Sequence, residues 1–342
     1  MATGTADPIL DVRDLNVILH TERSSVHVTR GVSYSVARGK TLAIVGESGS
    51  GKTVLNQAPL GLLPQGVTAD IHGEIRFDGK LVVSDAQSSI AACRGKDIGV
   101  IFQDPLSALN PARRISRQIM EVSEEHLGLT PRAAEAHAAD LMRLVGIPDP
   151  MERLKQYPHE LSGGMRQRVV LAAAIAAEPK LLIADEPTTA LDVTVQAQII
   201  GLLQDLQKRI GMAIVLITHD IGVVASMADQ VAVMYAGSVV EIGEADTVLT
   251  NPSHPYTHGL LTSVPDLDIP LGSPFQGING LPPDLSRLTR GCAFAERCTH
   301  AVEECGLLRP RLQAMPRGEL AACLRAPFDT LSTPTRATTG VM

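Results

Sequence analysis

Leu42-Ala43-Ile44-Val45-Gly46-Glu47-Ser48-Gly49-Ser50-Gly51-Lys52-Thr53 runs from four apolar residues into a glycine-rich turn that ends in Lys-Thr. Gly46, Glu47, Ser48, Gly49, Ser50, Gly51, Lys52 and Thr53 fit the phosphate-loop pattern of Gly, four residues, then Gly-Lys-Ser/Thr. Each part has a chemical task. Glycines let backbone N–H groups turn inward around the β- and γ-phosphates of a nucleotide, and the helix that follows presents its positive end. Lys52 reaches phosphate oxygens, and the Thr53 hydroxyl can ligate Mg²⁺. The competing explanation is a chance glycine-rich turn. With Gly at about 7% of residues, such a match arises in roughly one chain in a hundred. The preceding apolar run lowers that figure, so a nucleotide such as ATP is the expected ligand. Pro59 should kink or end the helix after about two turns, because proline cannot join the helical hydrogen-bond ladder.

Outward from this loop, apolar runs at 42–45, 99–102, 181–184, 214–217 and 231–235 read as strands buried on both faces. Helical patterns lie between them, clearest at 131–145, 164–177 and 193–209. The alternation predicts an α/β fold with a mostly parallel sheet covered by helices. Gly237, between the runs 231–235 and 238–242, predicts a closing hairpin. Around Asn251 the texture changes: Pro, Gly and Cys become frequent, helical periodicity fades, and residues 331–342 read as a disordered tail. There is no internal repeat, so one nucleotide-binding unit is expected.

Composition narrows the function. A chain of 342 residues, 44% hydrophobic and 20% charged, has room for a large α/β domain and an appendage. Aromatic residues make up only 3%, with no Trp, and the net charge is −7; both facts argue against a nucleic-acid partner. No apolar run approaches the roughly 18 residues of a membrane span. The longest, 169–177 and 212–217, read as core. Residues 1–8 lack the basic and apolar regions of a secretory signal, so a cytoplasmic chain, peripheral to any membrane it serves, is expected.

The run Leu181-Leu182-Ile183-Ala184-Asp185-Glu186 is an apolar strand ending in two acids. Adjacent carboxylates there are costly unless a cation or a catalytic task holds them. Asp185 is suited to Mg²⁺, and Glu186 is then placed to polarise an attacking water. Upstream, Leu161-Ser162-Gly163-Gly164-Met165-Arg166-Gln167-Arg168 opens a helix with an N-terminal cap and an anion site.

The phosphate loop, then Leu-Ser-Gly-Gly, then the Asp-Glu strand end, in this order along the chain, resemble the ABC ATPases, and the resemblance covers about residues 10–250. It implies a P-loop core sheet with an N-terminal β subdomain and an inserted helical subdomain at about 105–170. It also implies two cassettes facing head to tail, so that Ser162, Gly163, Gly164 and Gln167 serve the partner's ATP. Gln103, after the run 99–102, resembles the Q-loop glutamine that senses Mg²⁺ and faces the membrane subunit; the implied Mg²⁺ set is Thr53, Gln103 and Asp185. Asp192 in Ala190-Leu191-Asp192 resembles the D-loop residue, and His219 in Thr218-His219-Asp220 the switch histidine; Glu186 and His219 are the implied catalytic pair. One departure is plain: residues 19–28 hold no Phe, Tyr or Trp to stack on adenine, leaving Arg23, His20 or His27 as substitutes.

Phe102-Gln103-Asp104-Pro105-Leu106-Ser107-Ala108-Leu109-Asn110-Pro111, Tyr157-Pro158-His159-Glu160-Leu161 and Asp192-Val193-Thr194-Val195-Gln196-Ala197-Gln198 are similar to the dipeptide and oligopeptide importer branch. His254-Pro255-Tyr256-Thr257 resembles the start of that branch's C-terminal extension, here 251–330. The branch also contains importers of nickel, glutathione and sugars. It implies a second cassette forming a heterodimer, two transmembrane permease subunits and an extracytoplasmic substrate-binding protein, with this chain on the cytoplasmic face of the membrane. Soluble ABC ATPases acting on ribosomes or DNA are the rival class; they usually carry two cassettes or long coiled coils, and this chain shows neither.

Four of the five cysteines, Cys292, Cys298, Cys305 and Cys323, fall in the extension, separated by five, six and seventeen residues. A reducing cytoplasm disfavours disulfides. Zinc sites usually show tighter pairs; four thiolates also suit a [4Fe–4S] cluster, and simple buried cysteines are a third option. The resemblance favours the cluster, in a structural role.

Overall fold

The structure is a computed structural model that describes residues 7–22, 24–104, 108–189, 192–263, 277–288 and 290–327. The tail expected at 331–342 lies outside the described residues.

Two sheets carry the chain. β1 (Leu10–His20), β2 (Ser25–Val36), β4 (Thr68–Phe77), β5 (Lys80–Ser84) and β6 (Gln87–Ser88) form an antiparallel sheet in the order β2-β1-β4-β5-β6. The larger sheet holds β3 (Thr41–Val45), β7 (Ile98–Ile101), β8 (Leu181–Asp185), β9 (Ala213–Ile217), β10 (Gln230–Tyr235) and β11 (Ser238–Glu244). It is completed by β12 (Gln313–Ala314) and β13 (Leu320–Ala321), in the order β12-β13-β11-β10-β3-β9-β8-β7. Strands β10, β3, β9, β8 and β7 are parallel. β3, β8 and β9 are buried along their whole length, as unbroken apolar runs should be when helices or a second sheet cover both faces. β11 returns antiparallel after Ala236 and Gly237, both at positive φ (46° and 78°), the backbone that a two-residue hairpin turn needs.

One face of the large sheet packs on helices Ile115–Leu127, Pro131–Leu144 and Gly163–Ala174, with Ile119, Ala138, Met142 and Val169 in the shared core. Helix Pro131–Leu144 starts on a Thr130 cap with Pro at its first turn and buries Ala134, Ala138, Leu141 and Met142, one stripe at helical spacing. The other face meets the antiparallel sheet across Val17, Val32, Ile44 and Ile217.

Two expectations change. The helix expected at 164–177 stops at Ala174, because Glu178 takes a left-handed φ of 53° ahead of Pro179. The segment after Asn251 is more ordered than its composition suggests. Helix Pro255–Thr262 forms on a His254 cap, and Leu320 and Ala321 pair with β11, adding the far segment to the main sheet. Strands of two residues carry no readable periodicity.

Candidate active site

The parallel strands all deliver their C-terminal ends to one edge of the sheet, the place where open α/β sheets bind ligands. The phosphate loop leaves β3 there, Asp185 and Glu186 end β8, His219 follows β9 and Gln103 follows β7.

Glycine is required at two points of the loop. Gly46 has φ 155°, and a Cβ on it would lie 2.2 Å from the Met234 carbonyl; Gly51, at φ 98°, caps helix Lys52–Gln57 close against Val28. That helix ends at Gln57, two residues before Pro59. Lys52 is buried and folded back on its own loop, donating to the Gly46 carbonyl (2.7 Å) and the Glu47 carbonyl (2.9 Å). Burial lowers its pKa, with Glu186, Asp185 and Glu47 pulling the other way.

Asp185 is almost fully buried and accepts from Gln57 Nε2 at 3.1 Å through Oδ2, while its Oδ1 has no hydrogen-bond partner among the described residues. Burial raises its pKa; the neighbouring Thr53 hydroxyl, Lys52 and Gln57 act against this, and Glu186 adds to it. An orphaned, buried carboxylate oxygen beside Thr53 has the chemistry of a Mg²⁺ ligand.

Glu186 sits at a left-handed φ of 47° with its N–H donating to Ile217 at 2.8 Å, so the strained residue is held by the neighbouring strand end. Its Oε2 accepts from Gln103 Nε2 (3.0 Å) and Thr189 Oγ1 (2.8 Å), and its Oε1 lies 3.2 Å from His219 Nδ1. Burial is the largest single influence and pushes the carboxyl up. Thr189, His219 and Lys52 together outweigh it, leaving the pKa below its ordinary value. Glu186 is therefore an anion at neutral pH, as a group that orients or deprotonates water must be.

The other predicted residues separate into two groups. Ser162 and Gly163 are exposed at the start of helix Gly163–Ala174, with Ser162 Oγ accepting from Met165 N. Asp192 is likewise exposed, capping helix Val193–Ile210. Gln167 does not join them. It points inward, 3% exposed, donating to the Pro187 carbonyl at 2.6 Å, and so ties this helix to the loop after the two acids. The spacing of the signature alone gave no sign of its inward rotation. Thr189 and Gln57 touch the two acids and were not anticipated; an acceptor-rich strand end followed by Thr-Thr was the available signal. His20 bonds Ser25 and Asp70, and His27 faces Asn16, so both candidates for adenine are engaged within their own sheet; Arg23 lies outside the described residues.

Cys292, Cys298, Cys305 and Cys323 line one cavity of about 20 Å³ together with His254 and Phe294. Burial pushes the Cys292 thiol up to about 11 and raises Cys298 and Cys323, with neighbouring cysteines adding to the rise at these three. Among the described residues, no group of three or more His, Cys, Asp or Glu is gathered closely enough to hold a metal ion as placed.

Comparison with known proteins places the chain in a family. The ABC transporter family matches residues 29–189, and the family described as the oligopeptide/dipeptide transporter, C-terminal region, matches residues 240–305. The chain is 51% identical over 295 residues to the oligopeptide transport ATP-binding protein OppD of Bacillus subtilis, covering 86% of this chain and 82% of that one. It is 47% identical over 304 residues to the dipeptide transport ATP-binding protein DppD of the same organism, covering 89% and 90%. Among solved structures, CbiO1 from Clostridium perfringens, part of the ABC transporter complex CbiONQ, superposes with a TM-score of 0.59 at 31% identity over 71% of this chain and 91% of that one. With its nucleotide loop, paired acids and transporter-type C-terminal region, the chain belongs to the ATP-binding subunits of the ABC transporter family, in the oligopeptide/dipeptide branch.

Proposed function

We infer that the chain hydrolyses ATP to power uptake of oligopeptides or dipeptides through a membrane complex. The observation that carries the chemistry is the Glu186 carboxylate, held by Gln103, Thr189 and His219 on the edge that also presents Lys52, Thr53 and Asp185. The substrate class follows the names of the OppD and DppD relatives and the match over residues 240–305.

In this reading Lys52 leaves the carbonyls of Gly46 and Glu47 to meet the β- and γ-phosphates, which the loop N–H groups of residues 46–53 surround. Thr53, Asp185 and Gln103 would hold Mg²⁺, which when bound would offset phosphate charge. Glu186 accepts the proton of the attacking water, and His219 orients the same carboxylate and the γ-phosphate end. The exposed Ser162 and Gly163, with Gly164, face a second cassette's ATP, and Asp192 lies at that same junction; Gln167 acts from behind by fixing the Pro187 loop. The second cassette is a different chain, two permease subunits dock near Gln103, and a substrate-binding protein delivers the peptide. Among the described residues no helix is long and apolar enough to cross a membrane, which suits a peripheral subunit on the cytoplasmic face. For the extension, Cys292, Cys298, Cys305 and Cys323 line one cavity and are the residues that would ligate a [4Fe–4S] cluster and so stabilise a segment with little core, but as placed they are not gathered closely enough to hold it.

The test is affinity purification of the tagged chain from detergent-solubilised native membranes, identifying co-purifying chains by mass. Two multi-span subunits and a second cassette are expected. Ribosomal or DNA-repair proteins, or a wholly soluble chain without partners, would overturn the transporter reading.

A further inference from the structure

The segment carrying the cysteines reaches directly into the phosphate loop. Arg297, its side chain only 7% exposed, makes a two-point ion pair with Glu47: Nη1 to Oε2 at 2.6 Å and Nη2 to Oε1 at 3.0 Å. The guanidinium also donates to the Tyr235 hydroxyl (3.3 Å), stands 5.8 Å over that ring, and is anchored through Nε to the Asn279 carbonyl at 2.8 Å. The backbone of Glu47 is held as well, its N–H donating to the hydroxyl of the buried Tyr256 at 2.9 Å. Glu47 is thus fixed at both ends by residues more than 200 positions away in sequence. Its carbonyl meanwhile holds the Lys52 ammonium at 2.9 Å.

A carboxylate in a phosphate loop is a physical problem, since it stands in the same loop as a polyanion and repels it. Arg297 supplies the opposing charge in a fixed fork that leaves neither carboxylate oxygen free. Arg297 closes a single helical turn, Ala295–Arg297, bracketed by Cys292, whose carbonyl accepts from Ala295, and by Cys298, whose N–H donates back to Ala295. The turn that aims the guanidinium is thus flanked on both sides by cysteines that line the cavity.

We propose that Arg297 is a positioning residue for ATP binding, which pins and neutralises Glu47 and makes the phosphate loop answer to the cysteine-lined cavity. The proposal rests on the reading that residues 46–53 bind ATP. Titration of the full chain with a fluorescent ATP analogue tests it, with a Lys52→Ala control: an undiminished affinity in that control would overturn the ATP-site reading itself. Arg297→Ala should weaken binding by about tenfold, as one uncompensated charge near the phosphates would. The loss should shrink as salt is raised from low to high ionic strength. Adding Glu47→Gln to Arg297→Ala should restore affinity to within about threefold of wild type, because the repelling charge is gone. Cys298→Ser should weaken binding in the wild-type background and have no further effect in Arg297→Ala. A salt-independent loss, no rescue by Glu47→Gln, or equal effects of Cys298→Ser in both backgrounds would overturn the proposal, as would an Arg297→Ala chain that binds the analogue normally.

Discussion

The phosphate loop and the two acids rise from β3 and β8, strands buried at every position, whereas the segment 277–327 is made of single helical turns and two-residue strands. The difference lies in what holds each in place. Around the loop the backbone decides: parallel pairing fixes where β3 and β8 end, and a glycine with no room for a Cβ fixes the turn. In the segment the buried apolar residues are few, with Phe294, Cys305, Met315, Ala321 and Ala322 the principal ones. So little burial cannot offset chain entropy unaided. Side-chain anchors do the rest: Phe294 packs against Tyr235 and Tyr256 with ring centroids 5.2 and 5.4 Å away, Arg297 pairs with Glu47, and Ser253 donates to Glu319 at 2.6 Å. The catalytic edge is therefore a property of the sheet, while the cysteine segment is a property of its attachments.

The two regions should fail differently. Glu186→Gln keeps the shape of the site and removes the base, so turnover should fall by about two to four decades with nucleotide still bound. The melting temperature and the protease resistance of 277–327 should stay as in wild type. A variant retaining more than half the activity would remove Glu186 from its role. Phe294→Ala attacks the other region. Truncating a buried phenylalanine costs about 3–5 kcal/mol, and the loss should appear as faster hydrogen exchange and cleavage within 277–327, ahead of any unfolding of β3, β8 and β9. Uniform loosening of the whole chain would show that the segment belongs to the main core and would dissolve the contrast.

The same contrast explains what the sequence disclosed. β3, β7, β8, β9 and β10 were legible because strands covered on both faces must be continuous apolar runs, and the loop was legible because phosphate binding tolerates few alternatives at Gly46, Gly51 and Lys52. Gln103 and His219 were singled out by the resemblance to ABC ATPases and not by spacing; parallel strands, which bring their C-terminal ends to one edge, are what set them beside Glu186. The inward turn of Gln167 was not legible: a helix start has an exposed and a buried side, and the pattern Ser-Gly-Gly-Met-Arg-Gln does not say which side residue 167 takes. The pairing of Glu47 with Arg297 was equally hidden, because a contact across 250 positions leaves no local signal. Nor could spacing show that Glu241 and Glu319 would be buried at the junction of the two regions.

That junction supplies the smallest expected effect. Glu241 is fully buried, accepts from the N–H groups of Ser253 (2.6 Å) and His254 (3.0 Å), and faces Glu319; burial pushes its pKa up from 4.5 to about 7. His254 beside it is buried against Phe294 and accepts from Tyr256 N–H through Nδ1, and burial pushes its pKa down from 6.5 to about 3. A raised carboxyl costs stability as pH climbs from 4.5 to about 7, because the unfolded chain gives up a proton that the folded chain keeps. A depressed histidine costs stability as pH falls from 6.5 towards about 3, because the unfolded chain takes up a proton that the folded chain refuses. Between pH 4.5 and 6.5 the two slopes are opposite and equal, so the pair contributes no net pH dependence there. Glu241→Gln should unmask the histidine. Relative to wild type, the variant should gain stability as pH rises through that window, by about 1.4 kcal/mol per pH unit at most. Denaturant unfolding of both chains at half-unit intervals would measure it, the shared titrations of other groups cancelling in the difference. Parallel profiles would mean that Glu241 stays ionised in the folded chain, stabilised by the two N–H donors, and that the junction is an anion site instead of a neutral buried pair.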